Sequence, residues 1–208
     1  MRWWENILLF PERIPRILLI DPFSKTGMEA SEKQLIYTVG HSVHSLEYFI
    51  EILNSFKIEM LVDIRRFPGS KRYPWFNREN LEIHLRENSI GYAHLEELGG
   101  RRKVQPDSIN SRWRNESFRG YADYMQTGEF VAAIEKLEDI AREKITAFMC
   151  SEAVWWSCHR AMVSDYLKAK GWKVEHIMNV GKTEEHPYTS PARISDGKVF
   201  YSDESLFD

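Results

Sequence analysis

The sequence contains few cysteines and no long hydrophobic run. Its 208 residues include two cysteines, too few for the disulfide framework that stabilises small secreted domains. No apolar run reaches the roughly 18 residues that a membrane-spanning helix needs. The apolar patches 7–10 and 17–20 are broken up by charged residues and prolines, whereas a signal peptide has an unbroken apolar core. These absences argue against a disulfide-rich secreted domain and a membrane anchor, and they predict a cytoplasmic protein.

Strong net charge is also absent. The formal net charge is -3, so the protein as a whole is not generically basic. The charge is uneven, however: residues 63–119 hold 12 Lys and Arg against 8 Asp and Glu, leaving 16 of the 28 basic and 23 of the 31 acidic residues elsewhere. This zone indicates either an anionic partner such as a nucleotide or nucleic acid, or a solvated face over packed aromatic side chains. The aromatic residues interleaved in it include Phe67, Tyr73, Trp75, Phe76, Trp113 and Phe118.

Short apolar strands alternate with helical patterns along most of the chain. This alternation predicts an α/β fold: a single Rossmann-like domain with a mostly parallel sheet of about five strands and helices on both faces. Helices are predicted to begin after Ser45, Asn77 and Thr127 and at about Ser157. The predicted strands are 35–39, 60–64, 91–95, 145–149 and 173–178.

The remaining segments are predicted to lie around this domain. A small C-terminal hairpin should turn at Asp196 and Gly197. Residues 101–126 show little periodicity and predict a long functional loop. Residues 1–30 are predicted to be an N-terminal extension, and residues 31–208 to form the α/β domain.

Polar side chains collect where the predicted strands end. In parallel sheets the carboxyl ends of the strands meet at one rim, where ligands bind. The sequence therefore predicts one site at this rim. The anion- or substrate-binding candidates are Ser42, Asp63, Arg65, Arg66, Arg101, Arg102, Arg160, Tyr121 and Trp155.

The stretch MCSEAVWWSCHR, residues 149–160, contains both cysteines. If Ser157 caps a helix, Cys158 lies in its first turn, where the helix dipole and Arg160 favour a thiolate. The alternative interpretation is that Cys158 is a small buried residue that only fills space in the core. Cys150 or Cys158 is the candidate nucleophile or redox thiol. The candidates for proton transfer are His41, Glu152 and His159.

Metal binding is the weakest of the predictions for this stretch. Adjacent residues of one helix point about 100° apart, so Cys158 and His159 would hardly both reach one ion. No metal ligand is assigned, and the sequence identifies no cofactor.

Five blocks of the sequence resemble, in order, those of the bacterial and archaeal domain-of-unknown-function family 488. The resemblance covers about residues 35–178. It implies a compact α/β domain and supplies no activity. It places most of the candidate residues above in the motif blocks of the family. The five blocks are YTVGHSVHSLEYFIEIL, LVDIRRFPGSKRYPWFN, YAHLEELGGRR, FRGYADYMQTGEF and CSEAVWWSCHR.

Three hypotheses follow from the sequence. The first is an enzyme that acts on a phosphate-bearing substrate, such as a nucleotide or nucleic acid. The second is a non-catalytic module that binds nucleic acid through its basic zone. The third is a metal-binding protein. The sequence leaves the substrate, the reaction class and the oligomeric state open.

Overall fold

A computed structural model describes residues 34–203, which contain a six-stranded sheet. The predicted extension 1–30 lies outside the described residues. The strands stand in the order β3-β2-β4-β1-β5-β6, and all neighbours are parallel except β5 and β6. The strands are β1 (Leu35–Gly40), β2 (Met60–Asp63), β3 (Gly91–His94), β4 (Thr146–Cys150), β5 (Lys173–Asn179) and β6 (Lys182–Glu185).

The α/β prediction is confirmed, with one strand more than the predicted five. The added strand β6 has the sequence KTEE, whose polar side chains give no apolar pattern because it lies at the edge of the sheet. The predicted hairpin is formed by β7 (Arg193–Ser195) and β8 (Lys198–Phe200). Its turn has positive φ at Asp196 (49°) and Gly197 (72°), as a tight hairpin turn requires.

Five α-helices within residues 34–203 cover the sheet, and two of the predictions about them were wrong. Residues 116–124 were predicted to be loop but form a helix that Asn115 caps at its N-terminus. The last helix begins at Arg160 rather than near Ser157, and Cys158 precedes it in an extended conformation. The helix starts after Ser45 and Thr127 are confirmed. The helices are α1 (Leu46–Ser55), α2 (Arg78–Glu87), α3 (Glu116–Tyr124), α4 (Gly128–Glu143) and α5 (Arg160–Ala169).

The helices cover both faces of the sheet and bury two apolar clusters. On one face, Phe130 of α4 and Met162 of α5 pack with strand residues that include Phe148. On the other face, Phe49 of α1 and Leu81 of α2 pack with strand residues of their own. The alternation of inward side chains along each strand divides them between the two clusters. No helix among residues 34–203 is both long and apolar enough to span a bilayer.

A buried carboxylate attaches the C-terminal segment to α5. Asp165 accepts hydrogen bonds from His186 Nε2 (3.0 Å), from the backbone N–H and hydroxyl of Thr189, and from the hydroxyl of Tyr201 (2.9 Å). Asp165 is fully buried, so these donors replace the water that its charge would otherwise need.

The loop after β4 packs directly against the end of β1. The backbone N–H groups of His41 and Ser42 donate to the carbonyls of Cys150 and Ser151 at 3.0 Å. A Cβ atom at Gly40 would lie 1.9 Å from the carbonyl oxygen of Glu152, so only glycine allows this approach. The carboxyl ends of β1, β2 and β4 are thereby brought together.

Candidate functional site

A cleft of about 830 Å³ opens at the carboxyl ends of β1, β2 and β4. Its residues come from loops that are distant in the sequence, as expected for a parallel sheet. Of the predicted site residues, the cleft is lined by His41, Ser42, Arg65, Arg66, Arg101, Tyr121, Cys150, Glu152, Cys158 and His159.

Two thiols and one imidazole converge in the cleft. Cys158 Sγ lies 3.7 Å and Cys150 Sγ 4.0 Å from His159 Nδ1, and the three atoms are all within 4.8 Å of one another. The expectation that Cys158 and His159 diverge assumed that both are helical. Cys158 is extended instead, which lets its side chain turn toward the ring of its neighbour.

The orientation of His159 is fixed by a backbone carbonyl. His159 Nε2 lies 3.1 Å from Ile64 O, at the end of β2. A carbonyl only accepts, so Nε2 carries a proton and the other ring nitrogen, Nδ1, faces the thiols. Gly100 leaves room beside this atom, because a Cβ there would lie 3.0 Å from Nδ1. His159 is therefore placed to take a proton from a thiol.

The two thiols differ in acidity. Their shared hydrogen bond, followed by burial, raises the pKa of Cys150 to about 12. Burial also acts to raise the pKa of Cys158. The hydrogen bond from Cys150 and the charge and N–H of Arg160 outweigh it and lower that pKa to about 6. Near neutral pH the pair therefore holds a Cys158 thiolate and a Cys150 thiol.

Arg160 is a buried cation that pairs with no carboxylate in the described part of the chain. Its side chain is 1% exposed and donates to Thr38 Oγ1 (3.1 Å) and to the Glu152 carbonyl (2.6 Å), which are both neutral. None of the salt bridges formed among residues 34–203 includes Arg160. A buried charge is costly unless it is paired, and the nearby Cys158 thiolate supplies the opposite charge.

Arg65 and His41 lie in the wall of the cleft, and Asp63 holds Arg65 from behind. Arg65 Nε donates to both oxygens of Asp63 (2.9 and 3.0 Å), and its NH2 group lies 2.6 Å from Asp63 Oδ2. Arg65 also faces His41 Nε2 at 3.3 Å, while His41 Nδ1 lies 3.0 Å from Ser42 O. Burial and the charge of Arg65 lower the pKa of His41 to about 4. Both ring nitrogens of His41 are thus engaged in a neutral ring.

Four of the predicted residues do not line the cleft: Asp63, Arg102, Trp155 and Arg160. Arg102 donates to the carbonyls of Gly99 and Glu97 and stacks over the ring of Tyr124 at 3.5 Å. Trp155 is buried and stacks on His176, with ring centroids 4.4 Å apart. Asp63 and Arg160 lie behind the lining residues. Asp63 accepts hydrogen bonds from Arg65, and Arg160 lowers the pKa of Cys158.

Sequence reasoning missed several groups of the cleft. Phe67 was noted among the aromatic residues of the basic zone but was not assigned to the site. Phe118 and Asn115 reach the cleft from the segment that was predicted to be loop. The carbonyl of Ile64 orients His159. It is a backbone group of an ordinary apolar residue, so no sequence pattern predicts this role.

Comparison with known families gives one match. The family model described as "Domain of unknown function DUF488" matches residues 45–167, more than half of the 208 residues. The chain belongs to the DUF488 family. The resemblance seen in the sequence is thereby confirmed over the matched region. No curated protein and no solved structure matches the chain.

The DUF488 match includes most of the cleft. It covers β2, β3, β4 and α1 to α4, and it contains both cysteines and His159. His41 and Ser42 precede it. The DUF488 description carries no activity, so the function has to be argued from the chemistry of the cleft.

Proposed function

We propose that this DUF488 protein is an enzyme that uses the Cys158 thiolate as a nucleophile on a phosphate-bearing substrate, a nucleotide or nucleic acid. The observation that carries the proposal is the convergence of Cys158, Cys150 and an oriented His159 beside the buried Arg160. A low-pKa thiol next to a histidine is the arrangement of cysteine-dependent catalysis.

The protonation states support a complete chemical step. The thiolate that Cys158 holds near neutral pH is stabilised by Arg160 and by the Cys150 S–H group. The sulfur electron pair then forms a bond to the electrophilic centre of the substrate. The leaving group departs with its bonding pair and takes a proton from water through His159, which lies beside the sulfur.

Two arginines support an anionic substrate. Arg66 and Arg101 line the cleft, and neither takes part in the salt bridges formed among residues 34–203. Arg101 is exposed and Arg66 partly exposed. Guanidinium groups without a carboxylate partner bind phosphate well because they present several N–H donors in one plane.

Alkylation of the two thiols tests the nucleophile. In the Cys150→Ser variant, Cys158 should react with iodoacetamide at a lower pH than an ordinary thiol, because the charge and N–H of Arg160 still lower its pKa. In the Cys158→Ser variant, Cys150 should react slowly throughout the neutral range, because burial still raises its pKa. Intact-mass measurement follows both rates. Resistance of Cys158 until the protein is denatured would make it a packing residue and end the proposal.

Turnover separates an enzyme from a binding module. Wild-type protein incubated with nucleotides and 5′-phosphorylated oligonucleotides should yield products by mass spectrometry. The Cys158→Ser variant should still bind but yield none. Binding by both proteins with turnover by neither would favour the non-catalytic module. Stoichiometric zinc in the purified protein would favour a metal-binding protein, since two thiols and an imidazole are common zinc ligands.

A further inference from the structure

The cleft has an apolar rim. Among residues 34–203 the two most exposed large apolar side chains are Val43 (67%) and Phe67 (65%), and both line the cleft. Single exposed apolar residues are common and need no explanation. Two exposed apolar side chains at the mouth of a cleft that also contains thiols and arginines indicate a ligand with an apolar part.

Phe67 lies beside two guanidinium groups. Arg66 Cζ is 5.7 Å and Arg101 Cζ 6.0 Å from the centroid of the Phe67 ring. These distances are within the range of cation–π attraction. Because the ring remains largely exposed, it has surface left for a second planar group. An aromatic platform flanked by cations attracts a ligand that joins a flat ring to a negative charge.

The platform is fixed in place before any ligand binds. Arg66 donates through Nη1 to the carbonyl of Arg101 at 3.1 Å, which joins the loop after β2 to the loop after β3. A Cβ atom at Gly99 would lie 2.7 Å from Arg66 Cα, so the two loops pack closely. Preorganisation of this kind reduces the entropy cost of binding.

The apolar rim is close along the chain to the residue that orients His159. Phe67 is three residues after Ile64, whose carbonyl holds His159. Consecutive Cα atoms are about 3.8 Å apart, so the Cα atoms of Phe67 and Ile64 are separated by at most about 11 Å. A nucleoside monophosphate is long enough to cover a distance of this size.

We propose that the cleft binds a nucleoside monophosphate, with the base stacked on Phe67 beside Val43 and the phosphate held by Arg66 and Arg101. A sugar phosphate without a base would leave the apolar rim uncovered. A long polymer would need a row of exposed rings, whereas among residues 34–203 Phe67 is the one largely exposed aromatic residue that lines the cleft. The inference deepens the proposed function by naming its substrate class, and it rests on that function.

The test uses protein that carries Cys158→Ser, so that no chemistry consumes the ligand. AMP, GMP, CMP, UMP and ribose 5-phosphate are titrated by calorimetry. At least one nucleotide should bind, and Phe67→Ala should weaken it by about 5- to 150-fold, the loss expected for one stacked base. Ribose 5-phosphate affinity should change less than about twofold, because stacking is absent from that complex. Phe67→Trp should restore nucleotide binding.

The matched control is Tyr188→Ala. Tyr188 is also an exposed aromatic residue beside a cation, with Lys168 Nζ 5.2 Å from its ring centroid, but it does not line the cleft. Nucleotide affinity should be unchanged in this variant. An equal loss for nucleotide and ribose 5-phosphate in Phe67→Ala would overturn the stacking role.

Two further results would overturn the inference. One is the absence of binding by all four nucleotides. The other is binding of a 5′-phosphorylated oligonucleotide alone with a steep salt dependence, which would make the ligand a polymer. Failure of Cys158 to alkylate would refute the proposed nucleophile without affecting these titrations, because the protein used in them lacks that thiol. The two proposals therefore fail separately.

Discussion

At the scale of single residues, the charge of Arg160 decides the state of Cys158. Arg160→Gln keeps donors for Thr38 and the Glu152 carbonyl but removes the positive charge. We expect the alkylation midpoint of Cys158, measured in the Cys150→Ser background, to rise by about one pH unit or more. Arg66→Gln is the control, since Arg66 lines the same cleft without affecting the pKa of Cys158. An unchanged midpoint in Arg160→Gln would show that Arg160 serves packing alone.

Two buried histidines make the protein sensitive to acid. Burial comes first among the causes that lower the pKa of His41 to about 4 and that of His176 to about 2. In the unfolded chain both protonate near pH 6.5. The unfolded state therefore binds more protons below that pH, and stability falls as the pH drops from 6.5 toward 4.

This argument gives a measurable loss of stability. Between pH 7 and pH 5 each histidine should lower the free energy of unfolding by about 2 kcal/mol. Urea unfolding at the two pH values measures the sum. The NMR signals of the His41 and His176 rings should stay at their neutral positions over the same range. Movement of either signal with a midpoint near 6.5 would contradict the prediction.

At the scale of secondary-structure elements, the approach of the β4 loop to β1 depends on Gly40. A methyl group at this position would overlap the Glu152 carbonyl at 1.9 Å and meet Arg160 NH2 at 2.8 Å. We expect Gly40→Ala to cost about 1–3 kcal/mol or more, by overpacking, and to slow the alkylation of Cys158. Gly128→Ala is the control, because nothing lies within 4 Å of its added Cβ. Thermal unfolding of both variants measures the difference, and equal melting temperatures would contradict it.

The elements also show what the sequence could predict. The apolar strands and the helices after Ser45 and Thr127 were found because apolar spacing and a capping hydroxyl are local signals. The start of α5 was misplaced because Ser157 has the residue type of a cap, although its hydroxyl donates to Val154 O instead. Helix α3 was missed because Gly120 and the polar residues around it obscure a short apolar face.

The candidate site was partly predictable for the same reason. Residues that follow strands meet at one rim in any parallel sheet, so most of the lining residues were found. The convergence of Cys158 with His159 depends on the backbone conformation of Cys158, which adjacent residues do not reveal. Arg102 and Trp155 lie outside the cleft because they contact other residues instead. Arg102 binds two nearby carbonyls and the ring of Tyr124, and Trp155 stacks on His176, which is 21 residues away in the sequence.

At the scale of the whole molecule, the matched DUF488 region is smaller than the unit that folds. Region 45–167 contains Asp165 but not its donors His186, Thr189 and Tyr201, and it lacks β1 and β5. A fragment 45–167 would leave a buried carboxylate without partners and one edge of β4 unpaired. We expect this fragment to be insoluble and residues 34–203 to be soluble on expression. Soluble, cooperatively unfolding fragment 45–167 would contradict this.

Asp165 itself gives a sharper test within the intact chain. Asp165→Ala removes the acceptor of all three side chains while leaving the sheet complete. We expect a loss of about 3–5 kcal/mol, the usual cost of breaking a buried charged network. Asp139→Ala is the control, since Asp139 pairs with Arg142 on an exposed helix surface and should cost less than about 1 kcal/mol. Urea unfolding compares the two, and similar losses would show that the network is not stabilising.

The sheet order has a consequence for the newly made chain. Strand β1 is synthesised before the other five strands of the sheet, yet it lies between β4 and β5, where Tyr37 pairs with Ala147 and Ile36 with Val174. Neither neighbour exists until most of the chain has left the ribosome. During synthesis the backbone N–H and C=O groups on both edges of β1 therefore lack their strand partners, and they can pair with other nascent chains. The pairing of β1 with β4 and β5 at the centre of the sheet therefore forms late. Because these pairings join residues that are distant in sequence, folding should be slow.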